Sequence, residues 1–196
     1  MNQLLPVFLK LENKKVLLIG GGSVALEKFM ALLGTGCVLV LLSKEVLPEI
    51  RKLAVDNSKV TIIQKEVELS DLEDYDLIYS ATNNKELNHL LTNYAHEKGI
   101  WVNCVDDPSL CDFYSAATLD RGPVRIAVST QGEFAGLAGT IKSILEELLP
   151  KEHDSEMEEL VELRKSVKQK LGDPEERKFA LRTLLKDFKS KYLRHS

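Results

Sequence analysis

Lys15-Val16-Leu17-Leu18-Ile19 runs without a break into Gly20-Gly21-Gly22, and then into the helix-forming segment Ser23-Val24-Ala25. An apolar run of strand length that ends on glycines and restarts as a helix is how a buried parallel strand turns over a phosphate group. Gly20 permits the tight turn. Gly22 lets the backbone approach a pyrophosphate that a Cβ would strike, and Ala25 keeps the helix close to the strand. Bare N–H groups at the helix start, with the positive end of the helix dipole, then face the anion. The GxGxxA pattern therefore makes Gly20, Gly22, Ser23, Val24 and Ala25 candidate contacts to a dinucleotide. The alternative is a glycine turn that only packs strand on helix.

The chain has 196 residues, enough for one α/β domain with an appendage. Its hydrophobic content is 44% and its charged content 29%, within the ordinary range of water-soluble chains. No apolar run reaches the roughly 20 residues that span a bilayer, and Met1-Asn2-Gln3-Leu4-Leu5-Pro6 has no basic region leading into a long apolar core, so neither a membrane span nor a signal peptide is expected. Cys37, Cys104 and Cys111 are odd in number and lack CxxC spacing. Buried, reduced thiols in a cytoplasmic protein are expected, not a disulfide framework or a zinc site. The net charge of −4 argues against nucleic acid as the main partner.

Hydrophobic periodicity predicts strands at 15–19, 37–42, 60–64, 76–81 and 99–105, with helices at 23–33, 46–55 and 85–98. This alternation predicts a Rossmann-type, doubly wound parallel sheet. After Asp107-Pro108 the pattern changes. Two strands at 113–119 and 124–130 flank Asp120-Arg121-Gly122-Pro123, and the second alternates apolar and polar residues as an antiparallel strand does. Two strands alone are marginal, so a second copy is expected to pack there in a homodimer. A helix at 136–149 stops at Pro150. Beyond it lie charged helices, divided at Gly172-Asp173-Pro174 with Asp173 as N-cap. The expected fold class is α/β: a Rossmann domain (1–112), a small antiparallel dimerisation segment (113–149) and a helical C-terminal region (150–196).

Four blocks, in this order and spacing, resemble the precorrin-2 dehydrogenase family, which also occurs as the N-terminal module of bifunctional sirohaem synthases. They are Leu5-Pro6-Val7-Phe8-Leu9; Val16 to Ala25 with Lys28; Ser80-Ala81-Thr82-Asn83-Asn84; and Val102 to Asp107, continuing to Phe113, Asp120-Arg121-Gly122-Pro123 and Ile126 to Thr130. The resemblance covers nearly the whole length. It implies NAD-dependent oxidation of precorrin-2 to sirohydrochlorin, on the way to sirohaem, by a dimer.

In open α/β sheets ligands bind beyond the carboxyl ends of the strands. Asp106, at the end of the fifth strand, is placed for a general base or an orienting charge, and the resemblance makes it the catalytic candidate. Its alternative role is capping before Pro108. Asp107 is the more structural of the pair. A polycarboxylate tetrapyrrole needs cations, and Arg121 and Arg125 beside the hairpin turn could clamp carboxylates; Arg121 could equally fix its own turn through Asp120. Residues 164–196 carry eleven Lys and Arg against four acids, either to steer an anion or as a solvated helix face. Where a ribose-binding acid usually ends the second strand, this chain has Ser43-Lys44. Ser43 can bond the ribose and Lys44 could tolerate a 2′-phosphate, so the residues leave NAD and NADP open; the resemblance implies NAD. Thr82 and Asn83 are expected to line the cofactor.

The match departs at Gln131-Gly132-Glu133-Phe134-Ala135-Gly136, where family members typically carry Gly-Gly-x-Ser-Pro. Some relatives also insert iron, which keeps a bifunctional dehydrogenase and ferrochelatase as an alternative. A non-catalytic NAD(H)-sensing module is another. His89, His96, His153 and His195 form no metal-ligand pattern, so no metal is expected. The methyltransferase of the fused enzymes is not expected either, the chain ending at Ser196.

Overall fold

A computed structural model describes residues 4–192. The chain divides into two compact units, with the boundary after Ser115. The first contains β1 (Lys15–Ile19), α1 (Ser23–Leu32), β2 (Val38–Leu42), α2 (Pro48–Ala54), β3 (Val60–Ile63), β4 (Leu77–Ser80), α3 (Lys85–Glu97) and β5 (Trp101–Cys104). Its five strands form one parallel sheet in the order β3-β2-β1-β4-β5. The order reverses beside β1, which creates a crevice at the carboxyl ends of the strands.

β1 shows why the sheet is covered on both faces. Val16 and Leu18 join one apolar cluster with Ala25 and Phe29 of α1 and Ile50 of α2. Leu17 and Ile19, pointing the other way, join a second cluster with Leu91 and Ala95 of α3. The four residues Val16 to Ile19 are all buried, so the central strand reads as a continuous apolar run with no alternation. Ala25, Phe29 and Leu32 recur at helical spacing and form the buried stripe of α1. Between β3 and β4 the connection is a single 3-10 turn, Leu69–Leu72, closed by reciprocal capping of Glu68 and Asp71, with Leu72 fully buried.

The second unit begins with a hairpin, β6 (Ala117–Arg121) and β7 (Val124–Val128), then α4 (Ala135–Leu148), α5 (Asp154–Lys170) and α6 (Pro174–Tyr192). The first hairpin strand expected at 113–119 is corrected to Ala117–Arg121. The segment before it is held by the first unit. The Phe113 ring packs edge-on against Tyr79 with centroids 5.3 Å apart, and the Phe113 carbonyl accepts from Asn103 Nδ2 at 2.8 Å. The turn itself is only Gly122-Pro123, because Arg121 pairs with Val124. The strand expected to reach Thr130 stops at Val128. Thr130 Oγ1 instead accepts from the Phe134 N–H at 3.0 Å and orders the approach to α4. Asp173 Oδ2 accepts from the Glu176 N–H at 2.8 Å, with Pro174 following, as a helix N-cap should.

Phe29 is fully buried and fills the space between α1 and the sheet. Phe29→Ala is expected to lower stability by about 3–5 kcal/mol, read as a shift in the urea midpoint with an unchanged slope.

Candidate dinucleotide site

The crevice at the carboxyl ends of β1 to β4 encloses about 560 Å³. Its walls are Ile19 with Gly20–Gly22, Leu42–Pro48, Lys65–Val67, Ala81–Asn84 and Leu87. The fold thus brings Gly20, Gly22, Ser43, Thr82 and Asn83 together around one cleft.

The three glycines have different physical reasons. Gly20 sits at φ +122°, and a Cβ there would lie 2.2 Å from the Ala81 carbonyl oxygen. A Cβ on Gly21 would lie 2.0 Å from the Glu45 carbonyl oxygen. Both are glycine because neighbouring backbone leaves no room. Gly22 has φ −88° and nothing within 4 Å of its Cβ position. No part of the fold requires glycine there; a group seated in the cleft would. Gly22 caps α1, and the first bond into the helix runs from the Leu26 N–H to the Gly22 carbonyl at 2.9 Å. The N–H groups of Ser23, Val24 and Ala25 precede it, and no side chain caps them. Ser23, Val24 and Ala25 are not part of the cleft wall; the Ala25 side chain is buried in the core beneath α1. Any contact from these three to an anion is through backbone N–H groups. An uncapped helix N-terminus beside an open glycine fits a pyrophosphate.

At the end of β2, the Ser43 N–H donates to the Ile63 carbonyl at 3.2 Å. Lys44 is paired with Glu66 at 2.7 Å, both side chains largely exposed. Gln64 Nε2 donates to the Lys44 carbonyl at 2.8 Å and fixes this rim. Glu66, which follows β3, is thus held beside the end of β2 by a contact between distant positions with no local signal in sequence.

Thr82 leads to a second group. Asn88 on α3 is fully buried. Its Oδ1 accepts from the hydroxyls of Ser80 at 2.9 Å and Thr82 at 2.6 Å, and from the Thr82 N–H at 3.2 Å. Its Nδ2 donates to the Thr82 carbonyl at 3.0 Å and to Asp106 Oδ2. Asp106 is exposed, two residues beyond β5, and outside the cleft wall. Asn88 links it to the loop that is in the wall. The sequence reading missed Asn88, although a polar residue on the buried stripe with Leu91 and Ala95 is a signal. Asp107 caps the short 3-10 turn Pro108–Leu110, accepting from the Ser109 N–H at 2.9 Å and its hydroxyl at 2.6 Å. Those bonds hold the Asp107 carboxyl below the usual aspartate range.

Arg121 is corrected. It is 5% exposed, and its guanidinium donates to the carbonyls of Leu149, Asp120 and Glu146. It caps the carboxyl end of α4, where orphan carbonyls and the negative end of the dipole favour a cation. Its guanidinium is committed to these carbonyls, and the bond to the Asp120 carbonyl at 2.8 Å is the turn-fixing alternative; the Asp120 carboxylate is not its partner. That carboxylate is taken by Arg125, whose Nε and Nη2 donate at 2.6 and 2.9 Å. Arg125 is exposed and lowers the Asp120 pKa.

Cys37 and Cys104 are buried, whereas Cys111 is half-buried; all three are free, and burial raises the Cys111 pKa. His89 faces Asp107 at 3.4 Å and His96 faces Asp112 at 3.2 Å. Among the described residues no group of three or more His, Cys, Asp and Glu is placed to hold a metal ion. His195 lies outside the described residues, as do the first three residues of the N-terminal segment. No helix among the described residues is long and apolar enough to cross a membrane.

Residues 7–117 match the family described as "Putative NAD(P)-binding". The chain belongs to this family. Among curated relatives of this NAD(P)-binding chain, the "Siroheme synthase" of Ruthia magnifica subsp. Calyptogena magnifica is 35% identical, across 89% of this chain and 37% of the relative. The "Siroheme synthase" of Methylococcus capsulatus is 36% identical, across 92% of this chain and 38% of the relative. The chain thus spans little more than a third of these proteins. A solved structure described as "SirC, precorrin-2 dehydrogenase" superposes with a TM-score of 0.79 at 23% identity, covering 92% of this chain and 89% of that one. The two share a fold: a Rossmann-type sheet, a two-stranded antiparallel sheet and C-terminal helices.

Gly22→Asp is expected to leave the fold intact, since its side chain enters open space. It should raise the Kd for NAD at least about 100-fold by placing a carboxylate on the phosphate site. Calorimetric titration measures the affinity and circular dichroism the fold.

Proposed function

We propose that this chain catalyses the NAD-dependent dehydrogenation of precorrin-2 to sirohydrochlorin, as a cytoplasmic homodimer. The observation that carries the proposal is the pairing of two features in one unit. A cleft has an open glycine at a bare helix N-terminus, and a carboxylate, Asp106, is bonded through Asn88 to the loop lining that cleft. A module that only sensed the nucleotide would need the first feature and not the second.

Gly22 and the first N–H groups of α1 would hold the pyrophosphate, with Ser43 toward the ribose and Thr82 and Asn83 along the opposite wall. When bound, NAD supplies the hydride acceptor. Oxidising precorrin-2 removes a hydride and a proton. Asp106 is the group in this unit that accepts the proton, with Asn88 bonded to one carboxylate oxygen. Glu66, by engaging Lys44, places an acid at the rim and supports NAD over its 2′-phosphorylated form. Arg125 is the remaining hairpin candidate for a substrate carboxylate, since Arg121 is committed to α4. The three free cysteines fit a reducing compartment.

The homodimer is supported by the second unit's surface. Phe134, Leu137, Ile141, Ile144 and Leu148 are exposed and recur along one face of α4. That face and the hairpin make the 113–149 segment the proposed dimerisation region, with 1–112 as the nucleotide-binding part and 150–196 as the helical appendage.

Mixing the protein with NAD and precorrin-2 should give the absorbance of sirohydrochlorin and of NADH together. The absence of both would overturn the proposal. Asp106→Ala should keep NAD affinity while turnover falls by about 10²-fold or more; full turnover in that variant would remove Asp106 as the base.

A further inference from the structure

We infer that Asn88 is a positioning residue for the reaction: its amide orients the Asp106 carboxylate and locks it to the cleft loop at Thr82. The inference rests on the assignment of Asp106 as base made above. Asparagine is a poor helix-interior residue because its side chain competes for backbone bonds. Asn88 nevertheless occupies the buried stripe of α3, fully enclosed. Its orientation is determined by its partners. The Thr82 N–H needs an acceptor, and the Thr82 carbonyl and the Asp106 carboxylate need donors. Only one of the two amide flips satisfies all three. Both Nδ2 hydrogens are then spent, one on the cleft loop and one on the carboxylate.

The chemistry of this donor suits a base. A lysine or arginine in its place would pair with the carboxylate as an ion and compete with any proton it must accept. A neutral amide donor fixes one oxygen without neutralising the group. The other carboxylate oxygen, Oδ1, has no hydrogen bond among the described residues, so it is the one available to substrate. Because the same amide grips both peptide groups of Thr82, a displacement of the cleft loop moves the carboxylate with it.

Aspartate at position 88 would keep the acceptor for Ser80 and the Thr82 N–H but replace the donor facing Asp106 and the Thr82 carbonyl with an oxygen. Asn88→Asp is expected to lower kcat about tenfold or more, with the KM for precorrin-2 and the Kd for NAD within about threefold of the native values. An unchanged kcat, or a kcat that falls only in step with NAD affinity, would overturn the inference. A second measurement does not depend on that variant folding. Asp106 is exposed, so Asp106→Ala leaves the core intact; the side-chain amide protons of Asn88, followed by NMR, should move upfield when the carboxylate acceptor is removed. Amide signals that do not respond would equally overturn it. Full turnover in Asp106→Ala, by contrast, would defeat the base assignment itself, and the amide shift would still report whether the contact exists.

Discussion

The first unit depends on how closely three loops approach one another at the carboxyl ends of β1, β2 and β4. The Gly20 N–H donates to the Leu42 carbonyl at 3.0 Å, the Ala81 N–H to the Ile19 carbonyl at 2.8 Å, and the Leu47 N–H to the Gly21 carbonyl at 3.0 Å. These bonds draw β1 so close to its neighbours that side chains at Gly20 and Gly21 would overlap backbone oxygens. Two of the three glycines are therefore demanded by the sheet. The third is not: nothing in the protein lies within 4 Å of its Cβ position, so packing of strand on helix does not account for it. The distinction is one of space: backbone fills the Cβ positions of Gly20 and Gly21, and the cleft lies beside Gly22.

The second unit has few buried side chains, and one of them is charged. Leu119, Ala138 and Met157 are buried with Arg121. A buried guanidinium is costly unless its donors are met. Here carbonyls meet them, two at or near the end of α4, where carbonyls would otherwise lack partners. Arg121 thereby ties β6 to α4 across the hairpin connection. The neighbouring Arg125–Asp120 pair differs. Both side chains are more than half exposed, and such pairs contribute about 0–1 kcal/mol. Arg125 can leave its partner for a ligand carboxylate at small cost, whereas Arg121 would leave helix carbonyls unpaired.

Much of the fold was legible because buried parallel strands advertise themselves. β1 and β2 are apolar runs with no polar interruption, and the stripe Ala25, Phe29, Leu32 has helical period. The stretch from Phe113 to Ala116 is different. Its aromatic and small residues have strand propensity, yet the Phe113 ring is claimed by Tyr79 and its carbonyl by Asn103, long-range partners that local pattern does not reveal. Arg121 is similar: an arginine near a turn reads as a surface cation, and only the placement of α4 supplies the carbonyls that bury it. That Gly20, Gly22, Ser43, Thr82 and Asn83 line one cleft was legible because each follows the end of a parallel strand. Glu66 and Asn88 were not, since each acts on a residue brought near by the sheet or by α3.

The cleft region contains two kinds of polar contact, and their magnitudes differ. Lys44–Glu66 is solvated on both sides, worth little alone and screened by salt. The Asn88 amide is fully buried, and removing it would leave the Ser80 hydroxyl, the Thr82 peptide groups and one Asp106 oxygen without their partner. Each such loss costs about 1–3 kcal/mol where the group is buried, and less at the exposed Asp106 oxygen, which water can reach. The role proposed for Asp106 requires its carboxylate to be held within a fraction of an ångström, and an exposed aspartate has no packing of its own to do so. In this fold the constraint comes from beneath. α3 is fixed by Leu91 and Ala95 in the core, Asn88 inherits that rigidity, and a single N–H transmits it to a carboxylate that stands in solvent.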